Sequence, residues 1–140
     1  MIYSPLIPEL NVSNFAESLR FYVSILGFEV KYQRADPAFA FLELNGAQLM
    51  LEVVQEDSWL LAELVKPFGR GMNLSIRCTD VVATATSLDA AGFSFFEPMH
   101  EAWYITQGVE YGQRQCIVAD PDGYLLRLTQ KMGIRPICAS

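Results

Sequence analysis

The chain repeats one sequence pattern after about 65 residues, and this internal repeat limits the fold more than any other feature. Asn14, a typical helix N-cap, precedes apolar residues at helical spacing, and Gly27 with Phe28 marks where that pattern ends. Asp80 begins the same pattern 66 positions after Asn14, and Gly92 ends it. The repeat therefore predicts two related modules, each with one capped helix.

Strand patterns surround both predicted helices. Alternating apolar residues predict one strand before each helix and three strands after it. The strongest turn signals are Asn45-Gly46 in the first half and the run Asp120 to Gly123 in the second. This order predicts an α+β fold of tandem βαβββ modules, with a curved, antiparallel-rich sheet around a concave cavity and helices on its outer face.

The expected organisation is a single domain spanning residues 1–140. The two modules are placed at about 5–54 and 72–130. A linker at 55–71 is expected to be helical because its apolar residues have amphipathic spacing. Residues 131–140 are expected to form a polar C-terminal tail.

The charge balance argues against several classes of partner. Ten Lys and Arg residues against sixteen Asp and Glu residues give a net charge of -6, and the basic residues are scattered. Because nucleic-acid binding needs a basic surface, we expect no nucleic-acid partner. The apolar stretches are too short to cross a bilayer and the N-terminal residues show no signal peptide, so the sequence predicts a cytoplasmic protein without a membrane partner.

No catalytic residue is assigned from the sequence. The cysteines, Cys78, Cys116 and Cys138, are widely spaced and lack a CxxC pair, which predicts reduced thiols rather than disulfides or structural zinc. No histidine accompanies them in a pattern that would favour a nucleophile.

Strand alternation predicts which side chains face away from the helices. One parity is almost wholly apolar and should pack beneath the helices, whereas the other mixes acids, amides, bases and aromatic rings. The mixed set includes Phe39, Phe41, Glu43, Glu52, Asn73 and Arg127. Phenylalanines on a polar face indicate a sheltered surface for a ligand, although an ordinary solvated sheet face has the same composition.

Three segments carry a family resemblance. They read PELNVSNFAESLRFYVSILGFEV, FLELNGAQLMLEV and GQRQCIVADPDGYLLRL. Together they resemble the vicinal oxygen chelate superfamily, which includes glyoxalase I, fosfomycin-inactivating thiol transferases, extradiol dioxygenases and bleomycin-binding resistance proteins. The resemblance extends from about Leu6 to Thr129.

In metal-dependent members of that superfamily, the ligands are His, Gln or Glu on the first and last strands of each module. The resemblance places these positions at Ile7 or Glu9, at Glu52, at Asn73 and at Arg127. Glu52 is then the one candidate metal ligand, and Arg127 puts a permanent positive charge where the cation would lie. We therefore expect no metal or other cofactor, and we expect Arg127 to pair with Glu52.

The metal-free members that the chain resembles are the bleomycin-binding proteins, which hold a large cationic glycopeptide between two subunits and stack aromatic residues on its rings. Trp103 and Tyr104, in the connection after the second helix, and His100 in a nearby loop are expected to contribute to such a pocket. The resemblance thus implies a homodimer that binds a cationic, aromatic small molecule without transforming it.

Two other functions remain open. One is a lyase, isomerase or thiol transferase of the same superfamily, with a metal bound by Glu52 together with Glu9 or His100. The other is a structural or regulatory interaction domain whose cavity is filled by its own side chains.

Overall fold

The first half of the chain folds into one helix and a four-stranded mixed sheet. Its elements are β1 (Glu9–Val12), α1 (Phe15–Arg20), a π-helical turn that continues α1 (Phe21–Ile25), β2 (Glu29–Ala35), β3 (Ala38–Leu44) and β4 (Ala47–Val53). The strand order is β1-β4-β3-β2. β1 is parallel to β4, and the other pairs are antiparallel.

The second half repeats this arrangement. Its elements are β5 (Asn73–Arg77), α2 (Val81–Ala90), β6 (Phe95–Thr106), β7 (Val109–Ala119) and β8 (Leu125–Pro136). The strand order is β5-β8-β7-β6, with β5 parallel to β8 and the other pairs antiparallel. The predicted α+β fold of two βαβββ modules is confirmed.

Both helices begin at the predicted caps. The side chain of Asn14 accepts a hydrogen bond from the backbone N–H of Glu17 at 3.1 Å, and Asp80 accepts one from Ala83 at the same distance. These bonds satisfy N–H groups that have no partner within a helix. The cap positions explain why the sequence pattern located the helices correctly.

The computed structural model describes residues 1–137, which form two compact units. The first unit comprises Met1–Met72 together with Asp120–Tyr124, and the second comprises Asn73–Ala119 together with the residues from Leu125 onward. The turn Asp120–Tyr124 therefore belongs to the first unit, although it lies between β7 and β8 in the sequence. Cys138 lies outside the described residues.

The turn Asp120–Tyr124 is bound into the first unit by several hydrogen bonds. Asp120 accepts one from the hydroxyl of Tyr22 at 2.6 Å. Asp122 accepts bonds from both the backbone N–H and the hydroxyl of Ser13. The Tyr124 hydroxyl donates to a backbone carbonyl of β1 at 2.9 Å. Residues of the second repeat thus complete the start of the first helix.

Two segments differ from the sequence prediction. Residues 55–71, expected as a helical linker, contain turns and bends but no helix. Trp59 and Leu61 there are almost fully exposed, so the amphipathic spacing has no surface against which a short helix could pack. The expected tail is also wrong in part, because β8 continues to Pro136 by pairing with the beginning of β7.

The strand register separates the two faces of the first sheet. Asn11, Glu52, Phe39 and Arg34 are successive partners across its four strands and therefore share one face. We call this the mixed face. The opposite parity carries the buried residues Leu10, Val12, Ala40, Leu42, Leu49 and Leu51. The predicted placement of Phe39 and Phe41 on the face of Glu52 agrees with the register.

Candidate functional site

An acidic pocket of about 370 Å³ lies on the mixed face of the first unit. Its lining residues are Glu9, Asn11, Pro37, Glu52, Gln55, Asp57, Ser58 and Trp59. The parallel pairing of β1 with β4 places Asn11 beside Glu52, so both strands contribute polar side chains to the same place. The chain that follows β4 supplies the remaining wall.

Two carboxyl groups in the acidic pocket interact with each other. When Glu9 is protonated, its side chain hydrogen-bonds to that of Glu52. Partial burial, followed by the hydrogen bond and the negative charge of Glu52, raises the pKa of Glu9, while the positive charge of Arg34 opposes this. Gln55 donates from Nε2 to Oε1 of Glu52 at 3.2 Å. The negative charges of the two carboxylates repel each other, so the pair is suited to bind a cation.

An exposed tryptophan lines the same pocket as these carboxyl groups. Trp59 is 97% exposed, and it forms part of the wall of the acidic pocket. The local turn is fixed because the backbone N–H of Gln55 donates to the Ser58 hydroxyl at 2.8 Å. Aromatic rings bind flat groups and cations on their faces. The pocket thus combines negative charge with an accessible ring.

The predicted phenylalanines of the first unit are covered by the chain's own side chains. Phe39 is 4% exposed and Phe41 is 1% exposed. Tyr32 stacks on both of them, with ring centroids 6.0 Å and 5.2 Å apart. The Arg34 guanidinium lies 4.3 Å from the centre of the Phe39 ring. We call Tyr32, Phe39 and Phe41 the aromatic cluster.

Glu43, also predicted to line the site, is engaged within the first unit. Its carboxylate accepts a hydrogen bond from Nε2 of Gln48 at 3.1 Å. Glu43 and Gln48 are partners in the β3–β4 register. Gln48 is itself buried and also bonds the N-terminal residues. Glu43 therefore helps to orient this amide.

In the second unit, His100 and Tyr104 meet at a buried glutamine. The amide of Gln115 lies 3.0 Å from His100 Nε2 and 3.1 Å from the Tyr104 hydroxyl. His100 Nδ1 lies 2.9 Å from the carbonyl oxygen of Pro98, which can only accept. The arrangement fits a neutral imidazole that donates from Nδ1 and accepts at Nε2.

The predicted surroundings of these residues need correction. His100, Trp103 and Tyr104 lie within β6, a strand of twelve residues, rather than in a loop or connection. β6 pairs with β7 in a hairpin that closes between Thr106 and Val109, and Pro98 within the segment does not favour a strand. Their side chains are consequently fixed by the strand register.

Trp103 is covered by an arginine of its own unit. The Arg135 guanidinium lies 3.8 Å from the Trp103 ring centre, and its Nε is 2.6 Å from a carboxylate oxygen of Glu110. Gly112 is the register partner of Trp103, and an added Cβ there would lie 2.5 Å from the indole. The ring is thus packed between β7 and Arg135, and a ligand would have to displace Arg135 to stack on it.

The remaining predicted residues of the second unit lie on β5 and β8. Asn73 is exposed at the start of β5. Arg127 lies between Ser75 and Ile117 in the sheet, and its buried Nε has no hydrogen-bond partner among the described residues. The expected pairing of Arg127 with Glu52 joins the two units and stays a prediction.

The comparisons with known proteins agree with this duplicated topology. Residues 6–128 match the sequence model of the Glyoxalase/Bleomycin resistance protein/Dioxygenase superfamily. The chain belongs to this superfamily. No curated protein matches the sequence.

Solved structures of the superfamily and of related folds are similar to the chain. A superfamily member from Vibrio splendidus 12B01 is 32% identical, over 88% of this chain and 95% of that chain, with a TM-score of 0.41. TioX from Micromonospora sp. ML1 is 20% identical, over 93% and 100%, with a TM-score of 0.70. A virulence protein from Salmonella typhimurium is 21% identical, over 94% and 100%, with a TM-score of 0.64. The last two show a shared fold.

The resemblance places the superfamily's metal positions at Ile7 or Glu9, at Glu52, at Asn73 and at Arg127, and this set does not fit a divalent metal. Ile7 is aliphatic, and Arg127 carries a guanidinium that remains protonated, so neither can coordinate a cation and at most two carboxylates are left. Among residues 1–137, no cluster of three or more His, Cys, Asp or Glu side chains could hold a metal ion. Within the same range, no helix is long and apolar enough to cross a membrane.

Neither described cysteine has the environment of a nucleophile. Cys78 and Cys116 are free and buried. Burial raises the pKa of both thiols, that of Cys116 to about 11. They are therefore protonated at neutral pH and lack the thiolate that attacks an electrophile.

The sequence did not predict that Glu9 and Trp59 share one pocket with Glu52. Glu9 was expected on the mixed face and as an alternative metal ligand, and Trp59 was expected in a linker helix as an aromatic residue suited to stacking on a ligand. The parallel β1–β4 pair brings Glu9 to Glu52, and the absence of a helix in residues 55–71 leaves Trp59 exposed. The shared parity of Glu9 and Glu52 was the one sequence signal that favoured their meeting.

Proposed function

We propose that this superfamily member binds and sequesters a small cationic molecule with a flat aromatic ring, of the bleomycin-like kind, without transforming it. The observation that carries the proposal is the pair of interacting carboxyl groups, Glu9 and Glu52, in one pocket of about 370 Å³ with the exposed Trp59. A cation bound there would neutralise this pair, and its ring would contact the indole.

The electrostatics of the chain support a cationic ligand. The net charge of -6 attracts cations over a distance, and Asp57 adds a third carboxylate to the pocket wall. Arg34 is the positive side chain that acts on Glu9, so an incoming cation would compete with it. Binding without turnover is supported by the protonated thiols and by Arg127, which stands where the resemblance expects a metal ligand.

The proposal includes a cytoplasmic homodimer, with the free cysteines kept reduced. β6 is an edge strand of its sheet and carries the exposed side chains of Phe96 and Ile105. Exposed apolar edge strands favour association with another chain. Light scattering at micromolar concentration should give twice the chain mass of 15.7 kDa. A mass of one chain under these conditions would refute the dimer.

Calorimetric titration with 2-phenylethylammonium and with bleomycin tests the function. Glu52→Gln keeps the side-chain shape but removes the charge, so binding of both probes should weaken by about tenfold. The matched control is Glu56→Gln, which removes an equal charge four positions after the strand residue Glu52 but outside the pocket lining. We expect the control to bind like the wild type.

Two results would contradict this function. Absence of binding by the wild type, or equal binding by the wild type and Glu52→Gln, would remove the acidic pocket as the cation site. A thermal-shift measurement with Zn²⁺, Ni²⁺ and Mn²⁺ covers the enzymatic alternative. Stabilisation by one of these metals that Glu52→Gln abolishes would favour a metal-dependent lyase, isomerase or transferase.

The same titration should depend on pH. Because the pKa of Glu9 is raised, Glu9 holds its proton to a higher pH than a free glutamate would. Proton and ammonium compete for this carboxylate, so affinity should increase as the pH rises through this pKa and then level off. Glu52 and Arg34 act on Glu9, and Gln55 hydrogen-bonds to Glu52. Glu9→Gln should remove most of the dependence.

A further inference from the structure

The N-terminal strap, Ile2–Ser4, is tied to the first unit through one buried side chain. The backbone N–H of Ser4 donates to Oε1 of Gln48 at 2.7 Å, and Nε2 of Gln48 donates to the carbonyl oxygen of Ile2 at 2.7 Å. The Ser4 hydroxyl lies 3.5 Å from the carbonyl oxygen of Gly46. A single amide therefore holds both sides of Tyr3.

Tyr3 lies against the aromatic cluster. Its ring meets Phe41 edge to face, with centroids 5.4 Å apart and an angle of 84° between the planes. Desolvation and the neighbouring Tyr3 hydroxyl together raise the pKa of Tyr32, so the two hydroxyl groups lie near each other. Nevertheless the Tyr3 residue is 56% exposed, whereas Phe41 beneath it is 1% exposed. Tyr3 thus covers a buried aromatic surface while remaining at the surface itself.

The aromatic cluster adjoins the acidic pocket on the mixed face. Phe39 is the direct register partner of Glu52, and neighbouring strands lie about 5 Å apart. Pro37, two positions before Phe39, lines the pocket. A ligand with a ring and an ammonium group could therefore contact both places without crossing the core.

We propose that the aromatic cluster is a ring-binding subsite that the chain's own Tyr3 occupies, and that a ligand with a flat, hydroxyl-bearing ring binds there in place of Tyr3. The proposal deepens the proposed function and rests on it for the role of Glu52 with the same ligand. The edge-to-face contact of Tyr3 with Phe41 indicates the chemistry that the subsite takes, namely a flat ring whose hydroxyl lies near that of Tyr32.

Occupation by Tyr3 lowers the apparent affinity for a ligand. When the competent state is only partly populated, the measured dissociation constant equals the intrinsic one divided by the populated fraction. If the N-terminal strap leaves the cluster about one tenth of the time, removal of the Tyr3 ring should tighten binding by about tenfold. About half of the Tyr3 surface is exposed, so little burial holds its ring in place, and this favours a minor open state.

The test uses p-cresol, a neutral copy of the tyrosine side chain, and tyramine, which adds an ammonium group. Tyr3→Ala should bind p-cresol about tenfold more tightly than the wild type, with amide NMR shifts at Tyr32 and Phe39. The matched control is Ile2→Ala in the same strap, because Ile2 is 89% exposed and should leave binding unchanged. Gln48→Met, which loosens the strap but keeps Tyr3, should give a smaller gain.

The outcomes separate this subsite from the proposed function. If neither Tyr3→Ala nor Gln48→Met binds p-cresol more tightly than the wild type, the subsite is refuted. The dependence of tyramine binding on Glu52 would then still decide the proposed function. If p-cresol binding tightens but Glu52→Gln leaves tyramine binding unchanged, the subsite stands and the cation site fails. Thermal melting of each variant confirms that it is folded.

Discussion

Replacing Asp120 by alanine should lower the free energy of unfolding by about 3 to 5 kcal/mol. Asp120 is buried, and its carboxylate accepts three hydrogen bonds. The Tyr22 hydroxyl lies 2.6 Å from Oδ2, and the backbone N–H groups of Asp122 and Tyr124 lie 3.0 Å and 2.9 Å from Oδ1. Alanine removes this acceptor from all three, and each buried unsatisfied donor costs about 1 to 3 kcal/mol. Urea denaturation measures the loss.

Asp120→Asn is the matched control for that experiment. Asparagine keeps an oxygen for the two backbone donors and offers an amide to the Tyr22 hydroxyl, which can also accept. We expect it to cost less than about 1 kcal/mol, and Tyr22→Phe to cost about 1 to 2 kcal/mol. Equal losses for Asp120→Ala and Asp120→Asn would show that the hydrogen bonds contribute little.

Gly123→Ala should destabilise the protein by about 2 to 4 kcal/mol. Gly123 has a φ of +96°, in the region that L residues rarely adopt. An added Cβ would also lie 2.5 Å from Cβ and 2.7 Å from Cα of Pro67, so a backbone would have to move. Denaturation by urea gives the free energy directly.

Gly46→Ala separates the two causes of this loss. Gly46 has a similar φ of +88°, but an added Cβ there meets no atom within 4 Å. Its substitution should cost only about 1 to 2 kcal/mol for the backbone conformation. If both alanine variants lose the same free energy of unfolding, the steric contact with Pro67 does not contribute to the loss at Gly123.

Local signals in the sequence predicted the fold because they act within a few residues. Asn14 and Asp80 bond N–H groups three positions later, and the strand parity follows from alternation alone. These rules gave the two modules and placed Phe39 and Phe41 on the face of Glu52. They could not show that Tyr32 covers both rings or that Tyr3 covers Phe41.

The site depends on contacts between residues far apart in the sequence. Glu9 meets Glu52 only because β1 pairs with β4 rather than with β2. Gln48 holds the N-terminal strap across 44 positions, a contact that no local pattern encodes. The β8 extension likewise follows from pairing with β7, since its last residues include Gly133 and Pro136, which do not favour a strand.

The membership of Asp120–Tyr124 in the first unit bears on how the protein can be divided. A fragment that ends at Met72 contains a complete strand, helix and three strands, yet it lacks the carboxylates that receive the Ser13 and Tyr22 donors. Such a fragment should fold only when a peptide carrying the missing turn is supplied in trans. The first half therefore depends on a turn encoded about fifty residues beyond its own end, even though it contains a complete set of one helix and four strands.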